Sequence, residues 1–146
     1  RKRRMILLDT NVLSELMRPQ PSERVLHWID QQSTASLWIS AITRAEIMLG
    51  LSLLPDGKRK QQLMDIATSI LNEDFAHRCL AFEQHAADCY ATIVATRTKL
   101  GIPISVEDAQ IAAIALTHSF SIATRNVKDF NHIDGLVIID PWGNTN

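Results

Sequence analysis

Three acidic residues stand in three separate stretches of the chain, each beside an apolar run. They are Asp9 in LLDTN, Glu46 in AITRAEIMLG and Asp108 in GIPISVEDAQIAAIA. A fourth polar position, Asn126 in IATRNVKDF, follows another apolar run. The strands of a parallel sheet end on one edge, so such a sheet would crowd all four positions there. Carboxylates gathered in that way repel one another by about 4 kcal/mol per pair, for ~4 Å and an effective dielectric of ~20, unless a cation holds them. An all-carboxylate set suits a hard ion, Mg²⁺ or Mn²⁺, whereas zinc would want His or Cys. Ions of that kind activate water and neutralise charge in phosphate chemistry.

Each acid also has an ordinary structural role open to it. Asp9 can cap the helix that follows it. Thr43-x-x-Glu46 has the form of a capping box, and Ser105-x-x-Asp108 resembles one with Asp in place of Glu. Capping and metal binding do not exclude each other, because a helix N-terminus helps to keep a carboxylate ionised.

The elements that must position these residues follow from the apolar pattern. Strands are expected at about 5–9, 36–40, 78–82, 121–124 and 136–139. The first has no polar alternation and reads as buried on both faces. Helices are expected over 11–17, after the Ser22 cap, from Thr43, over 61–71, over 83–100 and from Ser105. Residues 55–60 read as a charged turn, and Gly101 with Pro103 ends the fifth helix. The small residues Ala109, Ala112, Ala113 and Ala115 suit a helix lying close on a sheet. Alternating strands and helices predict an α/β three-layer sandwich around a mostly parallel central sheet.

Composition sets wide limits. The chain has 146 residues, 46% hydrophobic and 21% charged, with a net charge of −1. That fits one soluble domain over 5–146 and makes the molecule as a whole no magnet for nucleic acid. The RKRR stretch before Met5, residues 1–4, reads as a basic N-terminal extension or an expression remnant. Two cysteines, Cys79 and Cys89, fit a reducing cytoplasm better than a disulfide scaffold. No apolar run approaches the ~20 residues that span a bilayer, so no membrane partner is expected. His77, Cys79, His85 and Cys89 do not match common structural zinc spacings.

With these stretches in order, the sequence resembles the PIN-domain endoribonucleases, and within them the VapC toxins including the FitB-like branch. LLDTN, with Asp9, resembles the first motif of that family; Glu46 matches the second and Asp108 the third. IATRNVKDF resembles the fourth, and IIDPWG the close of these toxins. The resemblance runs from Met5 to Trp142. It implies a PIN-like fold and a Mg²⁺- or Mn²⁺-dependent endoribonuclease that hydrolyses RNA with a metal-activated water. It also implies a homodimer and a cognate antitoxin protein that covers the active site and often binds operator DNA. At the fourth position the family commonly has Asp, where this chain has Asn126. Asn126 can orient a water but brings no charge. Asp129, three residues on, can stand in for it if that segment is a short helix.

Thr10, Asn11 and Thr124 lie beside the expected site, with hydroxyl and amide groups able to bond a water, a phosphate or simply backbone. Arg44 and Arg125 are the candidate RNA contacts. Trp28, Trp38 and Trp142 read as packing residues. Two other readings stay open. A non-catalytic module acting through its partner would keep the fold, and Asn126 lends it weight. A small-molecule phosphohydrolase would use the same acids, although an aspartyl-nucleophile enzyme typically wants a second Asp where Asn11 stands.

Overall fold

The fold is that of a computed structural model describing residues 4–143. Arg1 to Arg3 and the last three residues of the expected domain lie outside the described residues. Arg4, counted with the extension on sequence, donates from Nη1 to Ser121 Oγ at 2.8 Å.

Among the described residues, five strands form one parallel sheet in the order β3-β2-β1-β4-β5. They are β1 (Ile6–Leu8), β2 (Leu37–Ser40), β3 (Cys79–Leu80), β4 (Ser121–Ala123) and β5 (Ile138–Ile139). Six α-helices connect them: α1 (Thr10–Leu16), α2 (Glu23–Asp30), α3 (Ala41–Ser52), α4 (Lys58–Ser69), α5 (Gln84–Lys99) and α6 (Val106–Thr117). The chain moves outward from β1 to β2 and β3, then crosses to β4 on the other side of β1. The strand order therefore reverses between β1 and β4, where open α/β sheets bind ligands.

The sheet is covered on both faces, and the two-residue period of a strand divides the core. Ile6 and Leu8 point into one cluster with Val12, Leu13, Val25, Trp28, Leu37, Ile39 and Ile47. Leu7 points the other way, into a cluster with Ile93, Ile114, Ile122 and Phe130. Helices α1 to α4 thus cover one face, and α5 and α6 the other. Every alanine of α6 named above is fully buried. A side chain of one carbon lets this helix approach both the sheet and α5 at close range.

Several boundaries differ from the sequence expectation. β3 is two residues long, not five, because its partner β2 gives way to α3 at Ala41 and leaves Ala81 and Phe82 nothing to pair with. The expected charged turn ends early: Lys58, Arg59 and Lys60 are the first turn of α4, after Gly57 at φ +148°. Their good helix propensity decides it once glycine has turned the chain. α4 runs on into a π-helical segment, Ile70–Asp74. Gly101 does end α5. At φ +77° it completes a Schellman closure, in which the Gly101 N–H reaches Thr98 O and the Ile102 N–H reaches Arg97 O, both at 3.0 Å.

Candidate active site

β1 and β4 place the first part of the site. Leu8 is in register with Ala123, and the Asp9 N–H continues the ladder to Ala123 O at 2.9 Å. Asp9 and Thr124 therefore stand side by side just past the ends of adjacent strands, at the point where strand order reverses. Asp9 is 4% exposed and also caps α1, its Oδ1 accepting from the Thr10 N–H at 2.8 Å.

A closed set of hydrogen bonds fixes the Asp9 carboxylate. Its Oδ2 accepts from Thr124 Oγ1 at 2.7 Å and from Asn11 Nδ2 at 3.2 Å. Asn11 Nδ2 also donates to Thr124 Oγ1 at 3.2 Å, and the Asn126 N–H donates to the same oxygen at 3.1 Å. The Arg125 N–H donates to Asn11 Oδ1 at 3.2 Å. Oδ2 is saturated, while Oδ1 keeps a lone pair for a ligand. Asn11 and Thr124 thus act as struts for Asp9.

Glu46 is held differently from the sequence expectation. Ser40 caps α3, its Oγ accepting from the Thr43 N–H at 3.1 Å. Thr43 is therefore the third residue of the helix, not its cap, and Glu46 lies a turn further on. No capping bond occupies it. Instead Thr10 Oγ1 donates to Glu46 Oε1 at 2.6 Å. That bond uses the only hydrogen of the Thr10 hydroxyl, so the 3.0 Å contact with Thr43 Oγ1 is a donation from Thr43. At α6 the cap expectation holds: Ser105 Oγ accepts from the Asp108 N–H at 3.1 Å.

Asp9, Glu46, Asp108 and Asn126 line one cleft of ≈ 480 Å³, together with Arg125 and Trp142. Asp129 is exposed on a 3₁₀ helix, Val127–Phe130, the short helix its auxiliary role required. It is not part of the cleft wall, yet its charge acts on both Asp9 and Asp108. Of the two candidate cations, Arg125 lines the cleft and lies 5.0 Å from the Trp142 ring centroid. Arg44 does not line the cleft; it donates to Asn72 Oδ1 at 2.9 Å.

Sequence reasoning missed Ser14, Glu15 and Arg18 on the cleft wall. Their helical spacing from Asn11 was the available signal, since residues four and seven apart share a face. Glu15 is buried and accepts from the Ser22 N–H at 2.8 Å and from Arg18 Nη1 at 3.2 Å. The Ser22 amide, then Arg18, keep its carboxyl below the usual range despite burial.

Asp9 and Asp108 show the opposite shift. Burial pushes the Asp9 carboxyl up; the Thr124 hydroxyl and Thr10 amide oppose this, and the charges of Glu46 and Asp129 add to it. Burial and the Asp9 charge push Asp108 up to about 6, with Asp129 and Glu46 contributing. These are mutually repelling oxygens at a site open to ligand. Among the described residues no group of three or more His, Cys, Asp or Glu side chains stands placed to hold a metal ion between them. Oxygen donors, a free lone pair on Asp9 and uncompensated negative charge fit a hydrated hard cation that takes one or two carboxylates directly.

The Asp108 shift has a consequence for stability. Its folded carboxyl holds a proton more tightly than the unfolded one. Its contribution is therefore present below about pH 4 and is lost as pH rises through about 6. Metal-free protein is expected to melt at lower temperature at pH 7 than at pH 4.5 on account of this group, and Asp108→Asn should flatten that fall. Differential scanning fluorimetry across the range checks it.

A doubly covered parallel sheet with acids at its switch point defines a class, and comparison with known proteins identifies it. The PIN domain family model matches residues 6–136, and the chain belongs to the PIN-domain family. Within it, the chain is 42% identical over 138 residues to Toxin FitB of Neisseria gonorrhoeae, covering 94% of this chain and 99% of that protein. It is 41% identical over 138 residues to VapC ribonuclease Y4jK of Sinorhizobium fredii, covering 94% and 98%. A solved structure of FitAB bound to an IR36 DNA fragment superposes with a TM-score of 0.90 at 41% identity, covering 97% of this chain and 99% of that one.

Proposed function

We propose that this protein is the toxin of a toxin–antitoxin pair and an endoribonuclease dependent on Mg²⁺ or Mn²⁺. The observation that carries the reading is the convergence of Asp9, Glu46 and Asp108 on one cleft at the switch point, with Asp129 close enough to raise the first and third. The relatives named as a toxin and as a ribonuclease support it.

In this reading Asp9, Glu46 and Asp108 would hold the ion, with the Glu46 carboxylate oriented by Thr10. The cation supplies Lewis acidity toward a phosphodiester and lowers the pKa of water. Asn11 and Thr124 fix the Asp9 rotamer, which the reaction geometry requires. Arg125, pinned at its amide by Asn11 and at its guanidinium by Trp142, offers donors to an RNA phosphate. Asn126 brings a neutral amide to the fourth corner, and Asp129 brings the charge.

A cognate antitoxin is the expected partner, by analogy with the complex of FitAB on DNA. A groove of ≈ 330 Å³ shares Thr10, Ser14, Arg18 and Glu46 with the cleft and continues over Met17, Ile47 and Leu51. It offers apolar surface where an antitoxin segment would cover the acids. A homodimer is expected on the same family grounds.

Induced expression in a bacterial host, followed by mapping of new RNA 5′ ends, tests the reading. The parent should generate a discrete set of new ends, and Glu46→Gln should generate none. Equal sets from the two would remove the cleft from the reaction; no new ends from either would remove RNA as the substrate.

A further inference from the structure

Arg97, near the C-terminus of α5, is only 5% exposed, and its guanidinium meets no carboxylate among the described residues. It is spent on backbone instead. Nε donates to Ile102 O at 2.7 Å, and Nη1 donates to Asp129 O at 2.9 Å and to Asn131 O at 2.8 Å. The Arg97 carbonyl accepts the Ile102 N–H, so Ile102 is gripped on both sides of its peptide.

Burying a guanidinium without a counter-ion is costly, and the bonds to three carbonyls offset that cost. Each bond falls on a segment that leads to an acid. Ile102 opens the short run to Ser105, the cap that sets Asp108 at the start of α6. Asp129 and Asn131 belong to the 3₁₀ turn and its exit. Phe130 anchors the side-chain face of that turn in the core, but its backbone bonds are few: the Asp129 N–H reaches Asn126 O at 3.0 Å, and the Asn131 N–H reaches Lys128 O at a long 3.4 Å.

We infer that Arg97 is a positioning residue for the metal site: it sets the backbone carrying Asp129 against the lead-in to Asp108, so that Asp129 supplies the charge that Asn126 lacks. The inference rests on the metal-dependent reading above. Asp129 acts on Asp9 and Asp108 from outside the cleft wall, so its influence depends on where its turn is held. Phe130 holds the turn on the core, and Arg97 fixes the carbonyls on either side of it, at Asp129 and Asn131, which sets the direction of the exposed acid.

A double-variant cycle on Arg97→Met and Asp129→Asn tests this, with Arg97→Lys as the conservative variant. Three quantities are read on metal-stripped protein: Mn²⁺ affinity by titration calorimetry, kcat and KM for an RNA oligonucleotide with Mn²⁺ added back, and melting temperature. Removal of an outer partner of a metal site typically costs ~10- to 100-fold in metal affinity or activity. Arg97→Met is expected to weaken Mn²⁺ binding ~10-fold and to lower kcat with KM unchanged. Combined with Asp129→Asn it should add less than about twofold, since both changes remove the same effect. Arg97→Lys, which can reach one carbonyl, should recover part of the affinity.

Losses that multiply, or a lower melting point with Mn²⁺ affinity and kcat intact, would make Arg97 merely structural. If Arg97→Met does not fold, the exposed Asp129→Asn still decides: unchanged Mn²⁺ affinity and kcat there overturn the inference. Failure of the ribonuclease reading looks different. Parent protein would then bind Mn²⁺ without cutting RNA, and the Mn²⁺ arm of the cycle would still report on Arg97.

Discussion

Asp9→Asn is expected to reduce RNA cleavage by ~10³-fold or more while leaving the fold as stable as the parent to within about 1 kcal/mol. The two halves of this result have separate causes. Activity falls because the change removes the buried negative charge nearest the switch point and leaves a neutral amide oxygen, a weaker ligand for a cation, where the carboxylate Oδ1 stood. Stability holds because the charge is itself a burden: burial and two neighbouring acids disfavour it. The amide satisfies only part of the network, which offsets some of that relief: its oxygen keeps the Thr10 N–H, while its NH₂ faces the Asn11 amide donor and a Thr124 hydroxyl that already accepts from Asn11 and Asn126. Matched melting curves and cleavage time courses of parent and variant check both. A variant that is inactive only because it unfolds would not support the site.

Much of this site was legible in the sequence, and the exceptions share a cause. Asp9 and Asp108 follow directly from their motifs, because a strand end and a Ser-x-x-Asp cap are local patterns. Glu46 was found, but its surroundings were misread. Ser40 and Thr43 both precede helical residues, and only the exit of β2 shows that Ser40 is the cap, leaving Glu46 to Thr10. Arg44 stands two residues before Glu46, which is ~200° around a helix and so on another face. Arg125 follows a strand end directly and reaches the cleft. Arg97 stands in the last turn of α5, where any cation is favourable, and that local pattern says nothing of its contacts. Its real partners, at 102, 129 and 131, are tertiary and carry no sequence mark. The three-layer fold was legible because short unbroken apolar runs alternate with longer segments bounded by Ser22, Ser105, Gly101 and Pro103, the mark of strands buried on both faces between helices. The edge strands came out shorter than expected because their length is set by where the neighbouring strand ends.

Withdrawal of the divalent ion is expected to have an effect as large as loss of Asp9. Without it Asp9, Glu46 and Asp108 face the cleft with no cation bonded to them among the described residues. Mn²⁺ or Mg²⁺ binding to the folded state should also raise the melting temperature; a ligand at 100 times its Kd contributes about 2.7 kcal/mol. The gain should be greater at pH 7 than at pH 5, where protons compete for Asp108. A binding module would show tight partner association and no such dependence of cleavage. A small-molecule phosphohydrolase would turn over a phosphomonoester with the same ion and leave RNA intact.

The most direct measurement is Mn²⁺ titration into chelator-treated protein with a single-stranded RNA substrate, run beside Asp9→Asn. Cleavage by the parent should be absent without metal, rise with Mn²⁺ to saturation and remain absent in the variant. Metal-independent cleavage by the parent, or Mn²⁺-dependent cleavage at the parental rate by Asp9→Asn, would contradict the assignment of this cleft as the metal-dependent ribonuclease site.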